Sequence, residues 1–339
     1  MIYSASNIWA EYKFHDSFHY VKQQALFTVA GLILMNFISK IDYKIYYKKA
    51  NIILGICFLL LILVLVPFIG SVRNGSRSWF GIGPFGIQPS EAAKLGLIIF
   101  TSKYLNNSDK YLKDLKKGIL PILGVTFLAF GLIMLQPDLG TGLVLMVSII
   151  ALLFIAGLDM KFFYEAFVLG VIGTCLLIAI APYRMNRITS FINPWKDPLG
   201  TGFQMIQSLY AIGPGGILGV GFDQSIQKHF YLPEPQTDFI FAIYLEEFGF
   251  IGGVLFILLY AYLFITCFNF SKECDDLFGS FLIIGITSMI GIQTMINLGV
   301  VVGLFPVTGV TLPLMSYGGT SLLVTLIEIG IIYNIIKSI

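Results

Sequence analysis

Charge is what this sequence has least of. Asp, Glu, Lys and Arg make up 12% of the 339 residues, against 57% hydrophobic ones. A soluble domain carries about 25% charged residues, so this chain lacks the polar groups to coat a water-facing surface. Cysteine is scarce as well. Cys57, Cys175, Cys267 and Cys274 are scattered, the first three within apolar runs, and their spacing suits packing residues rather than metal ligands. Of the three histidines, only His15 and His19 are close together, which offers no zinc site. No separable signal peptide is recognisable, and with a formal net charge of +2 no nucleic-acid partner is expected.

Long apolar runs are what the chain has in their place. A membrane-spanning helix needs about 20 mostly apolar residues. Runs that meet or approach this cover residues 20–39, 51–69, 88–104, 119–135, 139–158, 162–182, 239–268, 277–302 and 312–336. The expected fold is therefore an all-α polytopic integral membrane protein with nine transmembrane helices, forming a single transmembrane domain over residues 1–339. The run from Phe239 exceeds what a bilayer requires, so its start stands in the outer interface or the helix tilts.

Orientation follows from the short loops. One set holds Lys40, Lys44, Lys48, Lys49, Lys103, Lys110, Lys113, Lys116, Lys117, Lys161, Lys272 and Lys337; the other holds Lys13, Lys22, Arg73 and Arg77. The positive-inside rule makes the first set cytoplasmic. The large loop 183–237 is then extracytoplasmic. Loops of that length are usually functional or disordered, and the recurring aromatic and apolar residues favour an ordered one.

Unusual residues gather at the outer helix ends. The segment 74–91 is rich in glycine and ends in a helix start, with Pro89 in the first turn and Glu91 near the positive helix terminus. Lys94 follows on the same face, close enough to pair with Glu91. Ionisable groups within a span cost roughly 2.5–3.5 kcal/mol on insertion scales, so the two form either a structural ion pair or part of a wet site. Asp138, in a tight break between two runs, can cap the following helix or serve that same site. Thr237 is a candidate cap for the helix from Phe239, with Asp238 in its first turn at the membrane surface. A fourth glycine- and proline-rich segment, 303–321, lies on the same side. Irregular backbone at membrane depth is tolerated where it lines a cavity or is buried in protein. The four segments together predict an outward-facing polar cleft that handles a molecule with a lipid part.

These segments carry recognisable wording: NGSRSW at 74–79, QPSE at 88–91, QPDLGTG at 136–142, NPW at 193–195, YLPEPQTDFIFA at 231–242, PVTG at 306–309 and SYGG at 316–319. In these motifs, and in their order, the chain closely resembles the SEDS family (shape, elongation, division and sporulation proteins) over essentially its whole length. The wording looks most like the sporulation branch, with the division branch a close second and the elongation branch less similar. Family members have ten helices, and this chain looks as if it begins after the first. Asp223 stands where the family's GxGxGxS stretch has glycine, here at 219–225, and Ile226 where a basic residue often precedes QK.

The resemblance implies a peptidoglycan glycosyltransferase that polymerises lipid II at the outer face of the bacterial cytoplasmic membrane, for spore cortex or division septum, together with a class B penicillin-binding protein. Its chemistry joins a sugar 4-hydroxyl to an anomeric carbon with loss of a polyprenyl diphosphate. That requires one base and positive charge for the diphosphate, not the two facing carboxylates of glycoside hydrolysis. The resemblance makes Asp238 the general base of an inverting displacement. Arg77, Arg187 and Lys228 are candidates for diphosphate contact, though each could equally snorkel to lipid headgroups. Trp79 is a candidate to shape the cavity or stack on substrate, and Glu91, Lys94 and Asp138 to orient the helices of the site. A divalent cation (Mg or Mn) bridging the diphosphate suits the chemistry but has no ligand signature here. Two alternatives stand beside the enzyme: a lipid II flippase or other transporter, and a non-catalytic scaffold that activates a penicillin-binding partner.

Overall fold

The computed structural model describes residues 1–73, 75–81, 86–107, 118–180 and 182–339. Lys110, Lys113, Lys116 and Lys117, used above for orientation, and Asn74 of NGSRSW lie outside the described residues.

The fold is helical. In chain order the helices are α1 (Ile2–Phe14), α2 (His19–Ile38), α3 (Lys44–Leu63), α4 (Pro89–Asn107), α5 (Leu120–Met134), α6 (Leu139–Ile155), α7 (Met160–Ile180), α8 (Pro182–Ile192), α9 (Phe203–Gly215), α10 (Ile240–Glu273), α11 (Leu277–Val301) and α12 (Gly319–Ser338). A hairpin of β1 (Ser71–Arg73) and β2 (Ser76–Trp79) precedes α4. Each of the nine apolar runs coincides with a helix among the described residues. Five of them, α2, α3, α10, α11 and α12, are individually long and apolar enough to cross a membrane, and α5 and α6 are shorter apolar helices. Exposed side chains such as Leu26, Ile33 and Phe37 on α2 or Leu255 and Leu259 on α10 are what a lipid-facing surface requires. In lipid, helix association rests on close packing and hydrogen bonds rather than on apolar transfer.

The chain forms two compact units. One comprises Leu26–Asp159, Leu263–Ile292 and Gly319–Ile339. Small residues let its helices approach closely: a side chain at Gly330 would meet the carbonyl oxygen of Met35 at 2.8 Å, and one at Gly96 would meet the Cys57 sulfur at 2.7 Å. The hairpin docks on the break between α5 and α6, where the hydroxyls of Ser76 and Ser78 donate to the Gln136 carbonyl.

The other unit comprises Met1–Ala25, Met160–Tyr262 and Gln293–Gly318. Loop 183–237 is ordered as α8, a 3-10 turn at Pro194–Lys196 and α9. The core of this unit forms where Phe239 and Ile240 meet Ala5, Ala211, Val301 and Leu312.

The long run from Phe239 is not one continuous helix. Gly249 adopts φ 63°, ψ −164° and breaks α10. The backbone groups this opens are taken up by the segment after α9. Val220 N–H donates to the Glu246 carbonyl at 3.0 Å and Gly221 N–H to that of Glu247 at 3.1 Å, while Phe250 and Ile251 N–H donate to Gly216 and Ile217. Backbone at membrane depth must find partners within the protein, and here a second chain segment supplies them. The length of the run thus covers two helical stretches joined at Gly249.

Candidate functional site

Asp238 lies in the turn that precedes α10, not in the helix. The helix begins at Ile240, and Thr237 is not its cap: the Thr237 hydroxyl donates to the Glu234 carbonyl and carboxylate, both at 3.2 Å. The expected cap fails because the first bonds of the helix, from the N–H groups of Ala242 and Ile243, run to the Phe239 carbonyl, so Phe239 and not Thr237 flanks the helix, and the Thr237 hydroxyl is turned back to Glu234.

Three fastenings hold the Asp238 turn. The Asn297 side-chain amide donates to the Asp238 carbonyl at 2.9 Å. The Ser316 hydroxyl donates to the Thr237 carbonyl at 2.5 Å, and Tyr317 N–H to that of Gln236 at 2.8 Å. The Asp238 carboxylate, half-buried, then lies beside Gly309, where a Cβ would stand 3.6 Å from Oδ2. Gly309 has φ 76°, so the PVTG turn needs glycine for its backbone, and this also keeps the carboxylate's flank clear. Arg187, exposed on α8, donates through Nη1 to the Val307 carbonyl at 3.1 Å. The PVTG turn thus touches Arg187 at one end and Asp238 at the other, placing a cation and a carboxylate along one short stretch.

Lys228 is in the same unit but is neither at the surface nor snorkelling. It is 2% exposed, with its ammonium on the Asp223 carboxylate, on the Asp223 carbonyl at 2.8 Å, and 4.0 Å from the Glu247 carboxylate. A buried charge must be paired, and two acidic neighbours, not a headgroup, satisfy this one. Asp223 has φ 63°, the left-handed backbone expected where the family pattern has glycine.

The remaining predicted residues belong to the other unit. Arg77 and Trp79 lie on β2, both half-buried. Arg77 Nη1 approaches the Leu65 carbonyl at 3.5 Å. Glu91 and Lys94 pair at 3.0 Å, with side-chain exposures of 9% and 2%. Asp138 caps α6 by accepting the Thr141 N–H at 3.1 Å, and its other oxygen accepts the Gln88 side-chain amide at 3.0 Å. The start of α4 is thereby tied to the start of α6.

Sequence reasoning missed two features. Glu328, mid-helix in α12 and 2% exposed, lies within electrostatic reach of Lys94 and Glu91. Glu246 and Glu247 are 0% and 1% exposed and hold the chain around Lys228. A glutamate in an apolar run is the signal that could have found all three. Among the described residues no group of three or more His, Cys, Asp or Glu side chains is arranged to hold a metal ion. The donors around Asp238 are mostly amides and hydroxyls already engaged with carbonyl groups, so these residues do not by themselves fit a divalent cation, and no step is routed through one.

Known proteins confirm what the motifs suggested. The family model described as "Cell cycle protein", for FtsW, RodA and SpoVE, matches residues 1–339. Stage V sporulation protein E of Bacillus subtilis (strain 168) is 53% identical over 335 residues, covering 99% of this chain and 92% of that protein. The "Probable peptidoglycan glycosyltransferase FtsW" of Geobacter sp. (strain M18) is 38% identical, covering 99% and 91%. Among solved structures, a chain of a peptidoglycan synthase complex that coordinates polymerization and crosslinking superposes with a TM-score of 0.79 at 35% identity, covering 94% of this chain and 90% of that one. Thermus thermophilus rod shape determining protein RodA gives 0.71 at 29% identity, covering 99% and 93%. The protein is a multi-pass protein of the cytoplasmic membrane, and the chain belongs to the FtsW, RodA and SpoVE family of cell cycle proteins.

Proposed function

We propose that the chain is a peptidoglycan glycosyltransferase that polymerises lipid II at the outer face of the membrane, acting as a single transmembrane domain beside a class B penicillin-binding protein. The relatives' names supply the reaction class. The observation that carries the reading to this chain is the Asp238 turn: a half-buried carboxylate held outside its helix, with the Arg187 guanidinium bound to the same PVTG turn.

In the reaction the 4-hydroxyl oxygen of the acceptor sugar attacks the anomeric carbon of the donor, and the bond from that carbon to the diphosphate oxygen breaks. Asp238 takes the hydroxyl proton as the new bond forms. Its carboxylate suits this role because its turn is fixed at the backbone by Asn297, Ser316 and Tyr317. The diphosphate leaves with its negative charge steadied by Arg187, whose planar fork matches phosphate oxygens. Lys228, sequestered by Asp223 and Glu247, acts on the shape of the loop instead of on the diphosphate. In the other unit Arg77 and Trp79 remain candidates for substrate contact, and Glu91, Lys94 and Asp138 fix the starts of α4 and α6.

The test is polymerisation of labelled lipid II by purified protein with its penicillin-binding partner. Arg187→Ala is expected to weaken use of the diphosphate-linked donor by about tenfold or more, the loss of one strong charge-assisted contact. A wild-type rate in that variant would remove Arg187 from the reading.

A further inference from the structure

Two buried carboxylates have no part in the chemistry above. Both oxygens of Glu246 are spent on one stretch of chain: the Ser225 hydroxyl donates to Oε2 at 2.5 Å and the Ile226 N–H to Oε1 at 2.8 Å. The Ser225 hydroxyl also accepts the Lys228 N–H at 3.3 Å. Alongside, Lys228 bridges Asp223 and Glu247, the Ser4 hydroxyl donates to Glu247, and the Asn7 amide donates to Asp223 at 2.8 Å. The backbone pairs from Val220 and Gly221 to the carbonyls of Glu246 and Glu247 close the same place.

Ser225 and Glu246 are 21 positions apart. The bond between them closes the chain into a loop, and Asp238 lies inside it. A fully buried carboxylate is an expensive way to close a loop, since its desolvation must be offset by its hydrogen bonds. An apolar contact would close it at lower cost but without fixing a register. Two oxygens that each accept a bond from a defined donor fix where residues 225–226 stand against α10, and so where both ends of the Asp238 loop begin.

We propose that Glu246, braced by the Lys228–Glu247 pair, is a positioning residue that holds the Asp238 loop in register for proton abstraction. The proposal rests on the reading of Asp238 as the base. A reacting group displaced by about 1 Å loses on the order of a hundredfold in rate, so a defect in this staple should appear in turnover and leave donor binding alone.

The experiment compares Glu246→Ala, Glu246→Gln, Ser225→Ala and the Ser225→Ala/Glu246→Ala double variant with Asp238→Ala, using full-length protein, the partner and labelled lipid II. Glu246→Ala should lower kcat about tenfold or more with KM within about twofold of wild type. Glu246→Gln, which keeps one acceptor, should recover part of the loss. The double variant should lose less than the sum of the two single losses, because either change alone already breaks the Ser225–Glu246 bond. If Glu246→Ala cannot be purified folded, Ser225→Ala carries the same test, with about a threefold fall in kcat at unchanged KM expected from the lost hydroxyl. A rise in KM at unchanged kcat, or additive losses in the double variant, would overturn the proposal. Wild-type turnover by Glu246→Ala beside an inactive Asp238→Ala would remove this proposal alone. An active Asp238→Ala would remove the base and the proposal with it.

Discussion

Asn297, 1% exposed near the end of α11, donates its amide to the Asp238 carbonyl at 2.9 Å and to the Val310 carbonyl at 2.7 Å. One side chain therefore ties the Asp238 turn to the loop that runs beside it. The turn takes its position from a distant part of the chain.

Replacing Asn297 by Ala should leave two carbonyl groups without this donor, at about 1–3 kcal/mol for each one left buried and unpaired. The thermal midpoint in detergent should fall, and lipid II polymerisation should fall with it. Asn297→Asp, which cannot donate when ionised, should be no better than Ala. Wild-type behaviour of both variants would show that the turn holds itself.

The break at Gly249 gives a sharper contrast. A Cβ at Gly249 would stand 2.3 Å from the Gly219 nitrogen, and one at Gly219 would stand 2.1 Å from the Glu247 carbonyl oxygen; both residues have positive φ. Gly249→Ala and Gly219→Ala should each give aggregated or inactive protein. Gly213→Ala, in α9 with nothing within 4 Å, should be neutral or stabilising by about 0.5–1 kcal/mol. Size-exclusion profiles of the three variants check this directly.

The buried pair in α4 should respond asymmetrically. Lys94→Met leaves the Glu91 and Glu328 carboxylates buried without their shared cation, whereas Glu91→Gln leaves Lys94 with Glu328. Breaking a buried pair costs about 3–5 kcal/mol. Lys94→Met should therefore lower the thermal midpoint more than Glu91→Gln, and the Glu91→Gln/Lys94→Met double variant should recover part of the loss. Equal effects of the two single variants would exclude Glu328 from the group.

In the loop, the backbone N–H of Thr201 holds the Asp197 carboxyl below its ordinary range, assisted by the Thr201 hydroxyl. Because the folded group titrates below the unfolded one, its contribution is complete above about pH 4 and fades as pH falls through the lowered value. Protease cleavage within residues 193–202 should rise in acid, and Asp197→Asn should flatten that dependence. Cleavage independent of pH in the wild type would contradict the assignment.

What could be read in the sequence was local. The Glu91–Lys94 pair follows from helical spacing, and the Asp138 cap from a carboxylate placed before an apolar run; the structure bears out both. Among the described residues, the helices that coincide with apolar runs follow from the length of those runs. The break in α10 could not be read in the same way. Glu246 to Gly253 has helical composition, and the break depends on hydrogen bonds from residues 216–221, which are remote in the chain. Lys228 had the same difficulty. A lysine in an outer loop reads as a surface cation until Glu247 and the unusual Asp223 are seen to enclose it. Asn297 and Glu328 carry roles that depend on chain segments remote in sequence: the Asp238 turn and Val310 for the one, Lys94 and Glu91 for the other.

The most direct test of the account is glycan synthesis by Asp238→Ala and Asp238→Asn, with purified full-length protein, the penicillin-binding partner and labelled lipid II. Polymer is expected from the wild type, with a loss of at least about a hundredfold in both variants, as removal of a general base requires, and with folding and partner binding unchanged. Polymer at the wild-type rate from either variant would contradict it and leave the scaffold role standing.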